Sequence, residues 1–240
     1  VAAALPTAVV GDRRNQVLQH VRASAEAHGR VFAVMYDVSG ASSTTLVQDL
    51  ESDWASLVNT LQVTRSPSYL HHRGKPVLAI WGLGFADRPA TPVQAAALIA
   101  WFKSQAPVAE RATLLGGVPR TWRTDATWAP TLRTLDIISP WTVGAFVDDP
   151  GADNYKPTMV ADLASAADAG AEFMPVVFPG FSWKNLNNGP LNQIPRRGGK
   201  FWWRQLYNAK SAGAPFVYGA MFDEVDEGTA MFKVVPTAAG

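Results

Sequence analysis

The chain has 240 residues, with 21 Lys and Arg against 20 Asp and Glu, a formal net charge of +1, 48% hydrophobic residues and no cysteine. Near-neutral charge without a run of like charges excludes the electrostatic footprint of a nucleic-acid binder and polybasic attachment to a membrane, and the missing cysteine removes disulfides, thiol nucleophiles and Cys-type zinc sites together. A chain of this length buries roughly 70% of the surface its unfolded form exposes, so one domain over residues 1–240 is expected. No apolar stretch approaches the ~20 residues of a membrane span, and the opening Val1-Ala-Ala-Ala-Leu5 lacks the basic start of a secretory leader. A cysteine-free chain suits any redox compartment, so composition leaves localisation open.

In chain order, helical spacing first occurs over 13–27, where Gly11 or Asp12 can cap and Gly29 can terminate. The apolar run 31–36 follows, then a helical pattern over 45–61, the run 76–81, and a helix over 91–104 with Thr91-Pro92 as cap and first residue. The runs 112–118 and 135–140 come next, then a helix over 157–169 closed by Gly170, the run 173–178, a helix over 199–212 and the run 216–222. Six apolar runs alternating with helical segments are the pattern of βα units and a parallel sheet. The segment 179–200, rich in Gly, Pro and Asn, is too long for a bare connection and reads as a functional loop or a disordered one.

Six units fit an open doubly wound sheet or part of an eight-stranded barrel, and the chemistry at the strand ends separates the two. A nucleotide-binding sheet requires a Gly-rich phosphate loop after its first strand, but Asp37-Val-Ser-Gly40-Ala-Ser-Ser is neither GxGxxG nor a Walker motif. A barrel gathers polar and aromatic residues just past the carboxyl ends of its strands. That is the observed pattern: Tyr36-Asp37, Trp81, Pro119-Arg-Thr-Trp122, Ser139-Pro-Trp141, Pro179-Gly-Phe-Ser-Trp183 and Asp223-Glu224 each follow an apolar run. Nine Trp and seventeen Pro supply rigid aromatics beyond the needs of a plain core, and flat apolar faces at strand ends suit stacking on a sugar ring.

Four carboxylates fall within five positions in Asp223-Glu224-Val225-Asp226-Glu227-Gly228-Thr229. In a partly dry site such charges repel, so one carboxyl is expected to titrate high enough to serve as a proton donor while another stays ionised. The same residues also suit a solvated acidic turn or a hard-cation site, as does Asp148-Asp149-Pro-Gly-Ala-Asp153-Asn154. His20 and His28 lie on the first helical segment and His71-His72 in a polar connection; with no GxSxG, a Ser-His-Asp triad is not readable. Chemistry therefore falls to carboxylates, whose pairing beside aromatics is the usual equipment for glycosidic cleavage.

The acidic segment resembles the Glu-Trp-His-Glu-Gly-Thr segment of glycoside hydrolase family 99, the endo-α-mannosidases. The wider chain resembles the bacterial proteins grouped as glycoside hydrolase family 71/99-like, through residues 31–40, 74–85, Ser139-Pro-Trp141 and Phe201-Trp-Trp-Arg-Gln-Leu-Tyr207. The resemblance implies a TIM-type (β/α)8 barrel, an oligosaccharide or polysaccharide substrate at its carboxyl face, no cofactor and no metal. It implies that Glu224 draws the proton from a sugar 2-hydroxyl, which attacks the anomeric carbon, while Glu227 protonates the departing oxygen, with net retention. Tyr36, Asp37, Trp81, Trp122, Trp141, Trp183 and Asp223 are the candidate substrate-binding residues, with Trp81, Trp141 and Trp183 expected in one cleft. Phe201-Trp202-Trp203 is expected to pack a helix, with Arg204 reaching an acidic neighbour. Two departures stand out: Val225-Asp226 replaces the family's Trp-His, and six runs are readable where a barrel needs eight, as if the first two β/α units were missing. The alternative reading is a glycan-binding barrel that has lost turnover.

Overall fold

Apolar runs too short for helices become strands, and the amphipathic stretches between them become the crossovers that return the chain in parallel. The structure, a computed structural model, describes residues 2–4 and 8–232, with side chains from residue 13 onward. In chain order the elements are β1 (Ala2–Ala4), α1 (Ala8–His28), β2 (Val34–Asp37), α2 (Leu46–Asn59), β3 (His71–His72), β4 (Lys75–Trp81), α3 (Pro92–Ala100) and β5 (Thr113–Val118). They continue as α4 (Ala129–Leu132), β6 (Ile137–Pro140), α5 (Asp149–Asp168), β7 (Glu172–Phe173), β8 (Val176–Val177), α6 (Lys184–Asn187), α7 (Lys200–Ala212) and β9 (Tyr218–Gly219). The chain groups into two compact units, Val1–Ile138 with Asp168–Glu172 and Ser139–Ala167 with Phe173–Gly240.

The larger sheet runs in the order β1-β2-β4-β5-β6-β7, with β3 added antiparallel to β4, and β8 pairs β9 in a second sheet. Pairing is parallel between β1 and β2, β2 and β4, β4 and β5, and β8 and β9. All six predicted runs contain strand, and all five predicted helices form. Among the described residues the strands close no single hydrogen-bonded ring, so the barrel expectation is met at the coarser level of an α/β fold with a parallel sheet.

Four local expectations are corrected. An extra parallel strand, β1, precedes the first helix with Ala2 opposite Met35; three alanines carry no β-branched or aromatic signal that would announce it. Helix α1 starts at Ala8, so Gly11 and Asp12 lie inside it rather than capping it. Helix α5 starts at Asp149 and contains Pro157, because Asp148 accepts the Gly151 N–H at 2.8 Å and caps the helix nine residues before the proline. The run 173–178 is split into β7 and β8 around Pro175, which has no N–H for a ladder; its carbonyl instead accepts from Tyr218 N–H at 2.9 Å. The predicted cap of α3 is present as a full capping box, Thr91 and Gln94 each bonding the other's backbone N–H.

In the first unit α2 buries Leu46, Leu50, Trp54, Leu57 and Val58 on one face, each such side chain contributing about 1.5–3 kcal/mol by leaving water. Two buried polar side chains there are paired: Trp54 Nε1 donates to Glu110 O at 2.7 Å, and Tyr69 Oη donates to Val77 O at 2.9 Å while accepting from Val34 N–H at 3.1 Å. In the second unit Ala152, Phe178, Phe181, Ile194 and Phe201 form the core. Phe201 is there as expected but Trp203 is 70% exposed, so the aromatic trio does not pack as a whole, and Arg204 on the same helix makes a bidentate pair with Asp153 at 2.6 and 2.5 Å.

Candidate active site

In the second unit the chain leaves β9 and enters an acidic turn at Asp223. Ala230 N–H donates to Glu224 O at 2.8 Å and Gly228 N–H to Val225 O at 3.2 Å, closing the turn upon itself. Gly228 has φ +66°, and a Cβ there would lie 2.9 Å from Ser182 Cβ, so glycine is needed both for the bend and for the close approach. The buried Thr229 hydroxyl reaches Glu224 O at 3.4 Å.

The turn is also held from outside, by the long loop 179–200. Ser182 N–H donates to Glu227 O at 2.8 Å, Asn185 Nδ2 to Val225 O at 2.7 Å, and Arg196 Nη2 to Gly228 O and Ala230 O at 2.7 and 2.6 Å. The loop has its own order. Phe181 and Ile194 exchange backbone bonds at 2.9 and 3.0 Å, and the Ser182 hydroxyl accepts from Lys184 and Asn192 N–H. The segment is therefore an ordered loop that packs on the turn. Ser182, Asn185 and Arg196 were not singled out from sequence, and only the length and composition of the segment hinted at them.

Of the turn's carboxylates, Glu224 and Glu227 are half-buried, while Asp223 and Asp226 are exposed. Burial, followed by repulsion from Glu224 and Asp226, pushes the Glu227 carboxyl above the ordinary glutamate value. Close by, Tyr218 on β9 is pushed up to about 12, chiefly by burial and then by the Asp223 charge. Its ring lies 6.4 Å from that of Trp141, so Trp141, Tyr218 and Asp223 are brought into one neighbourhood. Trp183 stacks edge-on against Phe181 at 4.7 Å, next to the Ser182 that holds Glu227. The other acidic stretch is spent structurally, Asp148 capping α5 and Asp153 pairing with Arg204 and Asn208. Among the described residues no three His, Asp or Glu side chains come close enough to share a metal ion.

In the first unit the strand register sets Asp37 of β2 opposite Trp81 of β4, and Trp81 opposite Gly117 of β5, in one row at the carboxyl ends. Trp81 is half-buried, with the Phe85 ring at 5.1 Å and the Arg88 guanidinium 5.1 Å from its centroid. A Cβ at Gly117 would meet Trp81 Cδ1 at 2.3 Å, so only glycine admits the indole there. The Asp37 carboxylate accepts Ser39 N–H at 2.8 Å.

Two candidate binding residues are buried in this structure. Tyr36 is 0% exposed, and its hydroxyl donates to Asp53 of α2 at 2.6 Å. Alternation along β2 puts Tyr36 on the same side as buried Val34 and leaves Asp37 on the other, so adjacent candidates could not both face a ligand. Trp122 is also 0% exposed; a turn closed by its N–H on Pro119 O at 3.0 Å folds it back inside. His72, outside the proposed chemistry, pairs with Glu172 in the first unit, where Arg73 also reaches Glu172 at 3.3 Å.

No family model matches the chain, and no curated protein does. Solved structures do. The family GH99 endo-α-mannosidase from Bacteroides thetaiotaomicron in complex with bis-tris-propane superposes with a TM-score of 0.70 at 19% identity, over 91% of this chain and 64% of that one. A second structure of the Bacteroides thetaiotaomicron GH99 endo-α-mannosidase gives 0.67 at 18% identity, over 90% of this chain and 60% of that one. A glycoside hydrolase-like protein gives 0.66 at 14% identity, over 95% and 72%. At these identities the likeness is one of fold: the chain has a fold similar to that of GH99 endo-α-mannosidases. It spans less than two thirds of the length of the two mannosidase chains.

Proposed function

We propose that the protein is a glycoside hydrolase acting on an α-linked glycan, with Glu227 as acid and Glu224 as base-like residue. The observation that carries this reading lies within one turn. Burial and the charges of Glu224 and Asp226 raise the Glu227 carboxyl above the ordinary glutamate value, which suits it to donate a proton. The fold similarity to GH99 endo-α-mannosidases supports an α-mannosidic linkage as the first to test.

In the proposed reaction Glu224 takes the proton of the sugar 2-hydroxyl and that oxygen attacks the anomeric carbon. The bond from that carbon to the leaving oxygen breaks, and Glu227 protonates the oxygen as it departs. Water then opens the strained ring, Glu227 taking the water's proton and Glu224 returning one to the 2-oxygen, so configuration is retained. Trp141, Trp183 and Asp223 in the second unit are proposed glycan contacts, as are Asp37 and Trp81 in the first.

The alternative, a glycan-binding protein without turnover, is favoured by Val225 and Asp226, which are both exposed and leave the turn without an aromatic or imidazole between its glutamates. The deciding experiment measures sugar release from α-linked mannans, glucans and arabinans by the parent chain and by Glu227→Gln. Release by the parent alone supports the hydrolase; binding without release by either supports the alternative.

A further inference from the structure

The carbonyls of the acidic turn draw their donors from two sources. Glu224 O and Val225 O receive N–H donors from within the turn, from Ala230 and Gly228, and Val225 O also accepts from Asn185 Nδ2 of the loop. Glu227 O, Gly228 O and Ala230 O receive theirs from the loop 179–200, the first from Ser182 N–H and the other two from the single Nη2 nitrogen of Arg196. From the loop, the carbonyls that follow Glu227 are thus fastened by one guanidinium, beside the backbone bonds of Gly228, Ala230 and Met231 within the turn. Charge-assisted bonds of this kind are roughly twice as strong as neutral ones. Arg196 donates to carbonyls rather than to any of the turn's carboxylates, so it holds the backbone without claiming the Glu227 side chain.

The loop is shaped to deliver this contact. The Phe181 and Ile194 backbone pair closes it two residues before Arg196, and Ile194 is anchored in the Phe178, Phe181 and Phe201 core. Beyond it, Arg197 reaches Asp149 at 3.8 Å. At Gly180 a Cβ would lie 2.7 Å from Ile194 O and 2.8 Å from Arg196 Cγ, so the glycine clears the path along which the arginine stem crosses.

We propose that Arg196 is a positioning residue for the proposed acid: by gripping the two carbonyls that follow Glu227, it fixes the turn in the conformation that keeps the Glu227 carboxyl half-buried beside Glu224. The proposal rests on the reading of Glu227 as the acid, but its main test does not need turnover. Arg196→Met removes the donors and keeps the stem; Arg196→Lys keeps a charge with shorter reach; Gly180→Ala displaces the stem with the guanidinium intact. Arg204→Met, which breaks the Asp153 pair elsewhere in the same unit, is the control.

The readout is the titration of Glu227 by carboxyl NMR in each folded variant, identified against Glu227→Gln. In Arg196→Met the Glu227 midpoint falls toward the ordinary glutamate value, Gly180→Ala gives a smaller fall, Arg196→Lys recovers part of it and Arg204→Met leaves it in place. On a cleaved glycan, Arg196→Met lowers kcat at least about tenfold with KM little changed, as loss of geometry at an acid requires. If Arg196→Met does not fold, Arg196→Lys and Gly180→Ala carry the same test. An unchanged Glu227 midpoint in the folded Arg196 and Gly180 variants overturns the proposal. A parent that cleaves no glycan overturns the hydrolase reading alone, and the titration still decides Arg196.

Discussion

The backbone N–H of Ser182 donates to the carbonyl of Glu227 at 2.8 Å, joining two segments that lie more than forty residues apart in sequence and fixing the turn that carries the candidate acid. Gly228 sits against the same serine. Gly228→Ala therefore meets a left-handed backbone, which costs a residue with a Cβ about 1–2 kcal/mol, and a Cβ position 2.9 Å from Ser182 Cβ. The variant is expected to lose ~1–3 kcal/mol in urea unfolding and to bind glycan more weakly; Gly29→Ala, at a similar positive φ with nothing within 4 Å, is expected to show only the backbone part of that loss.

The raised titration of Glu227 has a definite consequence for stability. The folded state holds its proton more tightly than the unfolded state, so the stabilisation is complete below the ordinary glutamate value and is lost as pH rises through the raised one. Glu227→Gln removes that loss. Thermal unfolding of the two proteins is expected to be similar near about pH 4 and to favour the glutamine variant near about pH 8. A parent that matches the variant at both would show that Glu227 does not carry a raised value. In a cleaved substrate the same group sets the alkaline limb of the rate profile, since the acid must be protonated.

Much of this architecture was legible in the chain, because apolar runs 6–7 residues long separated by amphipathic stretches leave little choice of period. The Thr91-Pro92 start and the acidic turn could be read directly, since a capping box and a cluster of like charges are local features. What escaped were features set by tertiary partners. Ala2–Ala4 is a strand because β2 offers it an edge, and Pro157 sits within α5 because Asp148 caps further upstream. Tyr36 and Trp122 illustrate the limit for the site: an aromatic at a strand end has the same composition whether it faces ligand or core, and only alternation along β2, or the Pro119 turn, decides. The clamp on Glu227 comes from residues 182–196, with no motif to announce it.

Assigning Tyr36 to the core makes a separate prediction. Its hydroxyl is the donor to Asp53, which burial raises and the Tyr36 bond partly lowers. Tyr36→Phe leaves the Asp53 carboxylate without that donor, a loss of about 1–3 kcal/mol. The Asp53 value in the folded protein then rises further, so the deficit is expected to be larger near about pH 7 than near about pH 4. Urea unfolding at the two pH values measures this. Glycan affinity is expected to be unchanged, and a drop in affinity without loss of stability would return Tyr36 to the binding surface.

Trp122 and Trp141 provide the opposing pair, since both follow strands and only one has exposed surface. Trp122 is wholly buried, so Trp122→Ala opens a cavity and is expected to cost about 3–5 kcal/mol, with affinity for glycan preserved in whatever fraction stays folded. Trp141 is half-buried beside Tyr218 and near the acidic turn, and its truncation removes a stacking face rather than a core side chain. Trp141→Ala is expected to lower glycan affinity up to about tenfold, the worth of one aromatic contact, with a smaller fall in stability than Trp122→Ala. Calorimetric titration with an α-linked oligosaccharide, paired with thermal unfolding of the same samples, separates the two effects. If Trp141→Ala costs stability on the scale of Trp122→Ala and leaves affinity intact, Trp141 is a packing residue and the glycan contact must be sought elsewhere on the second unit.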